Sequence, residues 1–316
     1  MGKISIGIKR FINNPRIIIY YLNSLGWLNN LSDRKWVELI WWSKTGKKLD
    51  LDNPRSFNEK IQWLMVYDHR PEYTKLVDKY LVRNYVEDTV GSKYLVPLLG
   101  VWDSPDEINF DLLPNQFVLK CNHNSGEGMC VCRTKEKIDI PTVKKKLRHA
   151  LSKNYYYGGR EWSYKNVHPR ILCEQFIVDN DPNNTAGTLI DYKFYCFNGE
   201  PKFLYVGVDD ISSGTKGDAK LSFVDLDWKT PPFYRTDHEP IPVDVEKPER
   251  FDEMIKIAKD LSKGFPFVRV DLYWVNEKIY FSEMTFYPGA GYGFFSPEEW
   301  EKRLGDWIIL PTKTED

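Results

Sequence analysis

Four residues in the stretch 266–291, PFVRVDLYWVNEKIYFSEMTFYPGAG, are of the types that hold a divalent cation and an anionic substrate: Arg269, Asp271, Glu283 and Thr285. Two runs rich in Val, Tyr, Phe and Ile flank Asn276-Glu277-Lys278, the pattern of a β-hairpin with a short polar turn. Alternate residues of a strand share a face, so Arg269 lies with Asp271 and Glu283 with Thr285. A three-residue loop at 276–278 sets Asp271 opposite Glu283 and Arg269 opposite Thr285 on one face, whereas a two-residue loop separates them. The three-residue loop is the expectation. Two opposed carboxylates repel unless something positive lies between them, and a divalent cation is the simplest candidate. Oxygen-only ligands suit Mg²⁺, which completes its octahedron with water and substrate phosphates. Arg269 beside it would address a phosphate or a developing oxyanion. Taken alone, the same residues also fit a solvated hairpin with a charged outer face.

The elements that must position these residues come from a chain of 316 residues, enough for one large or two modest domains with a real core. Hydrophobic content of 42% and aromatic content of 15% describe a folded protein. A net charge of -1 gives no global pull toward nucleic acid or anionic lipid, so any polyanion site is local. The five cysteines (Cys121, Cys130, Cys132, Cys173, Cys196) are odd in number, lack CxxC pairs and fall in apolar runs. They read as buried small hydrophobes in a reducing, cytoplasmic setting. The apolar run 16–22 is too short for a membrane span and no small-residue cleavage site follows it. Residues 3–28, basic and aromatic, read either as a peripheral membrane-surface segment or as a stretch packed on its own domain.

Ser32 caps a helix over 32–44 that Gly46 ends, and Ser56-Phe57-Asn58-Glu59 is a capping box for a second helix. A third helical pattern spans 73–85 and leads through Gly91 to an extended 94–97, the cadence of an α/β unit. Lys79 and Arg83 share a face of that helix and read as solvated charges. The strand 117–121 ends on Lys120 and Cys121, followed by Asn122-His123-Asn124-Ser125-Gly126-Glu127-Gly128-Met129 and the apolar run 130–132. Such a glycine-bearing loop can turn backbone N–H groups toward phosphates, or be an ordinary hairpin turn. Pro141 opens a basic helix to about Asn154. The aromatic, glycine-hinged run 155–164 fits a closing lid and a self-packed Ω-loop equally well. Strands follow at 171–177, 191–197 and on to Val208, with Asp191 and Lys193 on one face and a turn at Asn198-Gly199. Residues 209–247 read as exposed connection with a short strand or two, and 248–263 as a helix. Pro288-Gly289-Ala290-Gly291 offers free amide donors, and Ser296-Pro297-Glu298-Glu299 reads as a second capping box for a helix stopped by Gly305.

In order along the chain stand a helix with Asp78-Lys79, a strand-end lysine with a small-residue loop, C-E-Q-F-I, D-Y-K, and R-V-D followed by E-M-T. Together they resemble the ATP-grasp superfamily. F-N-E-K-I-Q-W-L at 57–64, L-K-C-N-H-N-S-G at 119–126 and S-E-M-T-F-Y-P-G-A-G at 282–291 are similar to the TupA-like ATP-grasp proteins of bacterial surface-polysaccharide gene clusters. The likeness covers nearly the whole chain after about residue 30. It implies an α/β (α+β) ATP-grasp fold, two α+β subdomains sandwiching the nucleotide, with an N-terminal helical extension. The implied divisions are a helical region 1–65, an α/β segment 66–115, an N-terminal subdomain with its lid loop at 116–178, and a C-terminal subdomain at 179–316.

Carried over residue by residue, the resemblance implies that Lys79 and Lys120 bind nucleotide phosphates while Ser125, Gly126, Gly128 and Met129 close over them. Glu174 and the main chain of Phe176 and Ile177 would meet the adenine edge, Asp191 the ribose, and Lys193 the nucleotide or acyl substrate. Asp271 and Glu283 would hold Mg²⁺, with Arg269 at the transferred phosphoryl group. Thr285 stands where many superfamily members have asparagine; its hydroxyl accepts a direct or water-bridged contact to the metal. The implied activity is ATP-dependent, ADP-forming carboxylate–amine ligation through an acyl phosphate, joining an amino acid or similar amine to a sugar acid. The partners are then small-molecule or glycan acceptors. A metal-dependent glycosyltransferase using a sugar nucleotide fits the same acid pair, and so does a non-catalytic ATP-binding or scaffold protein.

Overall fold

Where hydrophobic residues recur at helical spacing, the described residues begin with five helices: α1 (Ile18–Ser24), α2 (Asp33–Thr45), α3 (Phe57–Tyr67), α4 (Glu72–Val77) and α5 (Val82–Val90). The computed structural model describes residues 16, 18–180, 189–208, 220–237 and 246–314. Most of the basic segment 3–28 and parts of the polar stretches 179–188 and 209–247 lie outside the described residues. Gly46 takes the left-handed C-cap of α2, and the box at Ser56 and Glu59 closes reciprocally at the start of α3.

The single helix read over 73–85 is two. Asp78 interrupts it because its Oδ1 accepts from the amides of Tyr80 (2.8 Å) and Leu81 (3.2 Å), a local bond that competes with the helical ladder. Nor does an α/β unit follow. The strands β1 (Leu98–Trp102), β2 (Phe117–Cys121), β3 (Cys130–Cys132) and β4 (Ile171–Gln175) form one antiparallel sheet in the order β1-β4-β2-β3. Helix α6 (Ile140–Leu151) covers it, burying Val143, Leu147 and Ala150 against Phe117, Leu119 and Cys173. The short α7 (Tyr156–Gly159) lies between α6 and β4 in sequence.

The second sheet holds β5 (Ile190–Phe197), β6 (Glu200–Val208), β7 (Lys220–Asp225), β9 (Phe267–Val275) and β10 (Lys278–Thr285), all antiparallel, ordered β10-β9-β5-β6-β7. Strand β8 (Tyr234–Arg235) pairs separately with β11 (Phe295–Ser296). Helix α8 (Phe251–Ser262) covers the face bearing Phe194, Cys196, Val268 and Val270, with Phe251 stacked on Phe194 at 5.9 Å. The opposite face carries Tyr195, Phe197 and Phe267 at one end, packed by Phe57 of α3 and by Trp307 beyond α9 (Glu298–Asp306). On that same face, one step further along each strand, aromatic residues give way to Lys193 and Asp191 on β5 and to Arg269 and Asp271 on β9. The site lies where the aromatic packing stops.

Two C-terminal expectations change. Helix α9 has Pro297 at its N-cap with no side-chain cap bond, so the second capping box is not formed. Gly305 lies inside α9 and permits close approach: a Cβ there would stand 2.1 Å from the carbonyl oxygen of Arg55.

Candidate active site

The hairpin turn contains two residues, not three: Lys278 pairs with Val275, and Asn276 and Glu277 adopt φ of 49° and 62°, as a type I′ turn requires. With that turn alone, Glu283 would follow Ile279 and Phe281 onto the face under α8. The register shifts by one between Phe281 and Glu283, so Ser282 is the extra residue of a β-bulge. Beyond it Asp271 faces Glu283 and Arg269 faces Thr285. The opposition expected from the sequence is therefore present, produced by the bulge and not by the loop.

The positive group between the acids is Arg269. Its Nε donates to Asp271 Oδ1 (2.7 Å), and its Nη2 donates to Asp271 Oδ2 (2.6 Å), Thr285 Oγ1 (3.0 Å) and Glu283 Oε1 (3.3 Å). Lys193 Nζ lies 2.9 Å from Asp191 and 3.4 Å from Asp271, and Lys79 Nζ lies 3.4 Å from Glu283 Oε2. Three acids thus meet three cations, and the cluster is self-neutral. Burial would raise the Glu283 carboxyl, but Lys79, Arg269 and Lys193 together hold it down at about 2. Burial likewise opposes the charge on Lys193 and on Arg269; Asp191 and Asp271 outweigh it on Lys193, and Asp271 on Arg269.

The break at Asp78 delivers Lys79. Its amide donates to Asn122 O (3.2 Å) and its Nζ to Asn124 O (2.9 Å), so the loop after β2 is held beside the hairpin. Asn122 is fixed in turn by Nδ2 bonds to Asp78 Oδ2 (2.9 Å) and His168 O (2.8 Å). Neither Lys79 nor Arg83 is a solvated helix charge; their side chains are 12% and 15% exposed. Lys120 Nζ lies 2.5 Å from Glu174 Oε2, and Arg83 Nη1 lies 3.4 Å from Glu174 Oε1. Phe176 and Ile177 follow β4 directly, with Arg133 5.2 Å from the Phe176 ring. In the β2–β3 loop Gly126 has φ +87° and open space beside it, Gly128 packs against Ala150, and Met129 is exposed.

Against the hairpin opens a cavity of about 480 Å³. It brings together four of the expected residues, Ser125, Arg269, Glu283 and Thr285; Lys120, Glu174, Asp191 and Lys193 lie outside its lining. The rest of its wall comes from the run 155–164 and from the turn at 288–291. Arg160 anchors that run: it donates to Leu28 O (3.1 Å), Asn29 O (2.8 Å) and Asp33 Oδ1 (3.2 Å). Trp162 stacks on His69 at 4.7 Å, a second contact that ties this run to the N-terminal helices. In the turn, Gly289, Ala290 and Gly291 all have φ between 51° and 70°. The Ala290 amide donates to Tyr287 O (2.8 Å), so one of the free donors expected there is committed, and Gln62 Nε2 donates to Ala290 O (2.8 Å) and fixes the turn.

The sequence reading missed Glu161. It lines the cavity at 8% exposure, and its carboxyl makes no hydrogen bond or ion pair among the described residues. Burial first, then the charge of Glu283, pushes it up to about 8, with Arg269 pulling the other way. One cavity therefore holds one carboxyl kept ionised and another kept neutral.

Among the described residues no group of three or more His, Cys, Asp or Glu is placed to hold a metal. A magnesium ion bound chiefly through substrate phosphates needs fewer protein ligands. Glu283, with 28% of its side chain open, and Thr285 supply oxygen donors at the cavity and fit that role. Asp271, with no exposed surface and both oxygens on Arg269, fits it only once Arg269 lets go.

A search of curated proteins finds no match. Similar solved structures include D-alanine–D-alanine ligase from Bacillus anthracis complexed with ATP, at 13% identity over 67% of this chain and 54% of that one, TM-score 0.38. They also include D-alanine–D-alanine ligase from Helicobacter pylori, at 15% identity over 78% and 62%, TM-score 0.39. A third is the ATP-grasp ligase PsnB with a phosphomimetic variant of its minimal precursor, Mg and ADP, at 10% identity over 78% and 63%, TM-score 0.40. The chain thus spans less than two thirds of the length of each of these. The profile of the TupA-like ATP-grasp family matches residues 59–309, and the chain belongs to that family.

Proposed function

We propose that this protein is an ATP-dependent carboxylate–amine ligase working through an acyl phosphate. The observation that carries the reading is the meeting of Lys79, Lys193 and Arg269 on the opposed acids of β9 and β10, beside a cavity with room for a small substrate. Family membership supports it independently. A substrate carboxylate oxygen forms a bond to the γ-phosphorus of ATP as the bond to the β-phosphate oxygen breaks and ADP leaves. An amine nitrogen then bonds the acyl carbon, loses a proton, and inorganic phosphate departs. The protein's part is positioning and charge neutralisation.

In this reading Lys79 and Lys120 bind the phosphates, and Ser125, Gly126, Gly128 and Met129 close over them. Glu174 with the main chain of Phe176 and Ile177 meets adenine, Asp191 the ribose, and Lys193 the nucleotide or acyl group. Arg269 offsets charge on the transferred phosphoryl group. Glu283 and Thr285, joined by Asp271 once it is released, hold Mg²⁺, which when bound draws phosphate charge away from the attacking carboxylate. The substrates we favour are an amino acid or similar amine and a sugar acid of bacterial surface-polysaccharide assembly. Residues 1–32 carry Lys3, Lys9, Arg10 and Arg16 and no acid, and Tyr21, Leu25 and Trp27 are exposed. That composition supports peripheral contact with an anionic membrane, in a chain whose described helices include none long and apolar enough to cross one. The test of the activity is product analysis: ADP and phosphate are expected only with both cosubstrates present. Release of AMP, or a requirement for a sugar nucleotide in place of ATP, contradicts the reading.

A further inference from the structure

We propose that the cavity beside the hairpin is the seat of the amine substrate, received as an ammonium ion by Glu161. This rests on the ligase reading and adds which component sits there and which side chain selects it. Three charged-type side chains line the cavity: Arg269, Glu283 and Glu161. Arg269 is forked onto Asp271, and Glu283 is held by Arg269 and Lys79. Glu161 alone among them lacks a partner within the described residues, and it is more than nine-tenths buried. A carboxyl set in such a place is unsatisfied until a ligand supplies donors.

The surrounding wall fits a cation. Tyr155 and Tyr164 meet edge to face at 4.8 Å, and Tyr287 closes the same space with a buried hydroxyl that has no partner among the described residues. Aromatic rings around a buried acid favour an ammonium group through both cation–π attraction and a charge-assisted bond. An anion would face the ionised Glu283 and bring Glu161 no donors, whereas an ammonium group supplies donors to Glu161. Arg269 borders the same cavity, so an amine held at Glu161 waits beside the group assigned to the phosphoryl site, an arrangement suited to attack on an acyl phosphate.

The test is calorimetric titration of wild type and E161Q with the twenty protein amino acids, ethanolamine and glucosamine, each beside its N-acetyl form, with and without Mg²⁺ and the ATP analogue AMP-PNP. At least one amine is expected to bind wild type, to fail once acetylated, and to bind E161Q at least about tenfold more weakly. AMP-PNP affinity is expected to stay within about twofold, since Glu161 touches the amine and not the phosphates. Should E161Q not fold, E161D keeps the charge one methylene shorter and is expected to give the same loss in milder form. Equal binding by wild type and variant, equal binding of the acetylated form, or no binding by any amine of the panel overturns the proposal. An amine bound through Glu161 by a protein that never binds AMP-PNP would instead overturn the ligase reading and leave the subsite standing.

Discussion

Replacing Glu161 by glutamine should stabilise the ligand-free protein, and more so as pH rises. The carboxyl titrates near 4.5 in an unfolded chain and at about 8 in the fold, raised mainly by burial and then by Glu283. Below pH 4.5 it is protonated in both states and folding carries no penalty from it. Between the two values the unfolded chain releases a proton that the folded protein retains, so stability falls with pH and levels off above 8. At pH 7 the difference amounts to about 3 kcal/mol at 1.36 kcal/mol per pH unit. Glutamine has nearly the same shape and does not titrate, so the variant escapes this loss. For a chain of this size the gain corresponds to a Tm higher by roughly 4–5 °C at pH 7. Thermal scans of both proteins at pH 4.5, 6, 7 and 8 should show curves that meet at the acid end and diverge toward pH 8. Curves that run parallel, or a variant less stable at pH 7, would refute the claim that Glu161 lies buried and unpaired.

Three further outcomes test other parts of the structure. Lys120→Met should weaken binding of Mg·ATP by about ten- to a hundredfold in calorimetry while Glu174 stays paired with Arg83; an unchanged affinity would remove Lys120 from the phosphate path. Arg160→Met leaves Asp33 and two backbone carbonyls without their buried donor, and denaturant titration should show a loss of about 3–5 kcal/mol. A loss below about 1 kcal/mol would mean that Arg160 does not anchor the 155–164 run. Gly305→Ala places a methyl against the backbone of Arg55, which cannot swing aside as a side chain does, so a cost of about 1–3 kcal/mol is expected. An unaltered Tm would show that α9 lies farther from α3.

What was legible in the sequence follows from how local each signal is. The box at Ser56 and Glu59, the left-handed Gly46 and the alternation of β5 and β9 are set by neighbours in sequence, and all stand as read. The two-residue turn escaped because Asn276-Glu277 lacks the glycine that usually marks a type I′ turn. Ser282 carries no mark of a bulge; the need to keep Phe281 and Met284 buried while Glu283 faces Asp271 is visible only with the sheet assembled. Asp78 broke a helix that its flanking periodicity predicted, since one side-chain bond outweighed the pattern. Glu161 was invisible for a different reason. Its charge state depends on burial first and then on Glu283 and Arg269, more than a hundred residues away, and nothing within the aromatic run foretells them.

The most direct measurement is a structure determined with Mg²⁺ and AMP-PNP bound. The triphosphate is expected among Lys79, Lys120 and Arg269, with the metal on Glu283 and adenine against Glu174 and the Phe176–Ile177 backbone. Nucleotide seated away from Lys120 and Glu174, or a wild-type protein that takes up no nucleotide at all, would contradict the assignment of this hairpin as the phosphate-facing wall of a ligase.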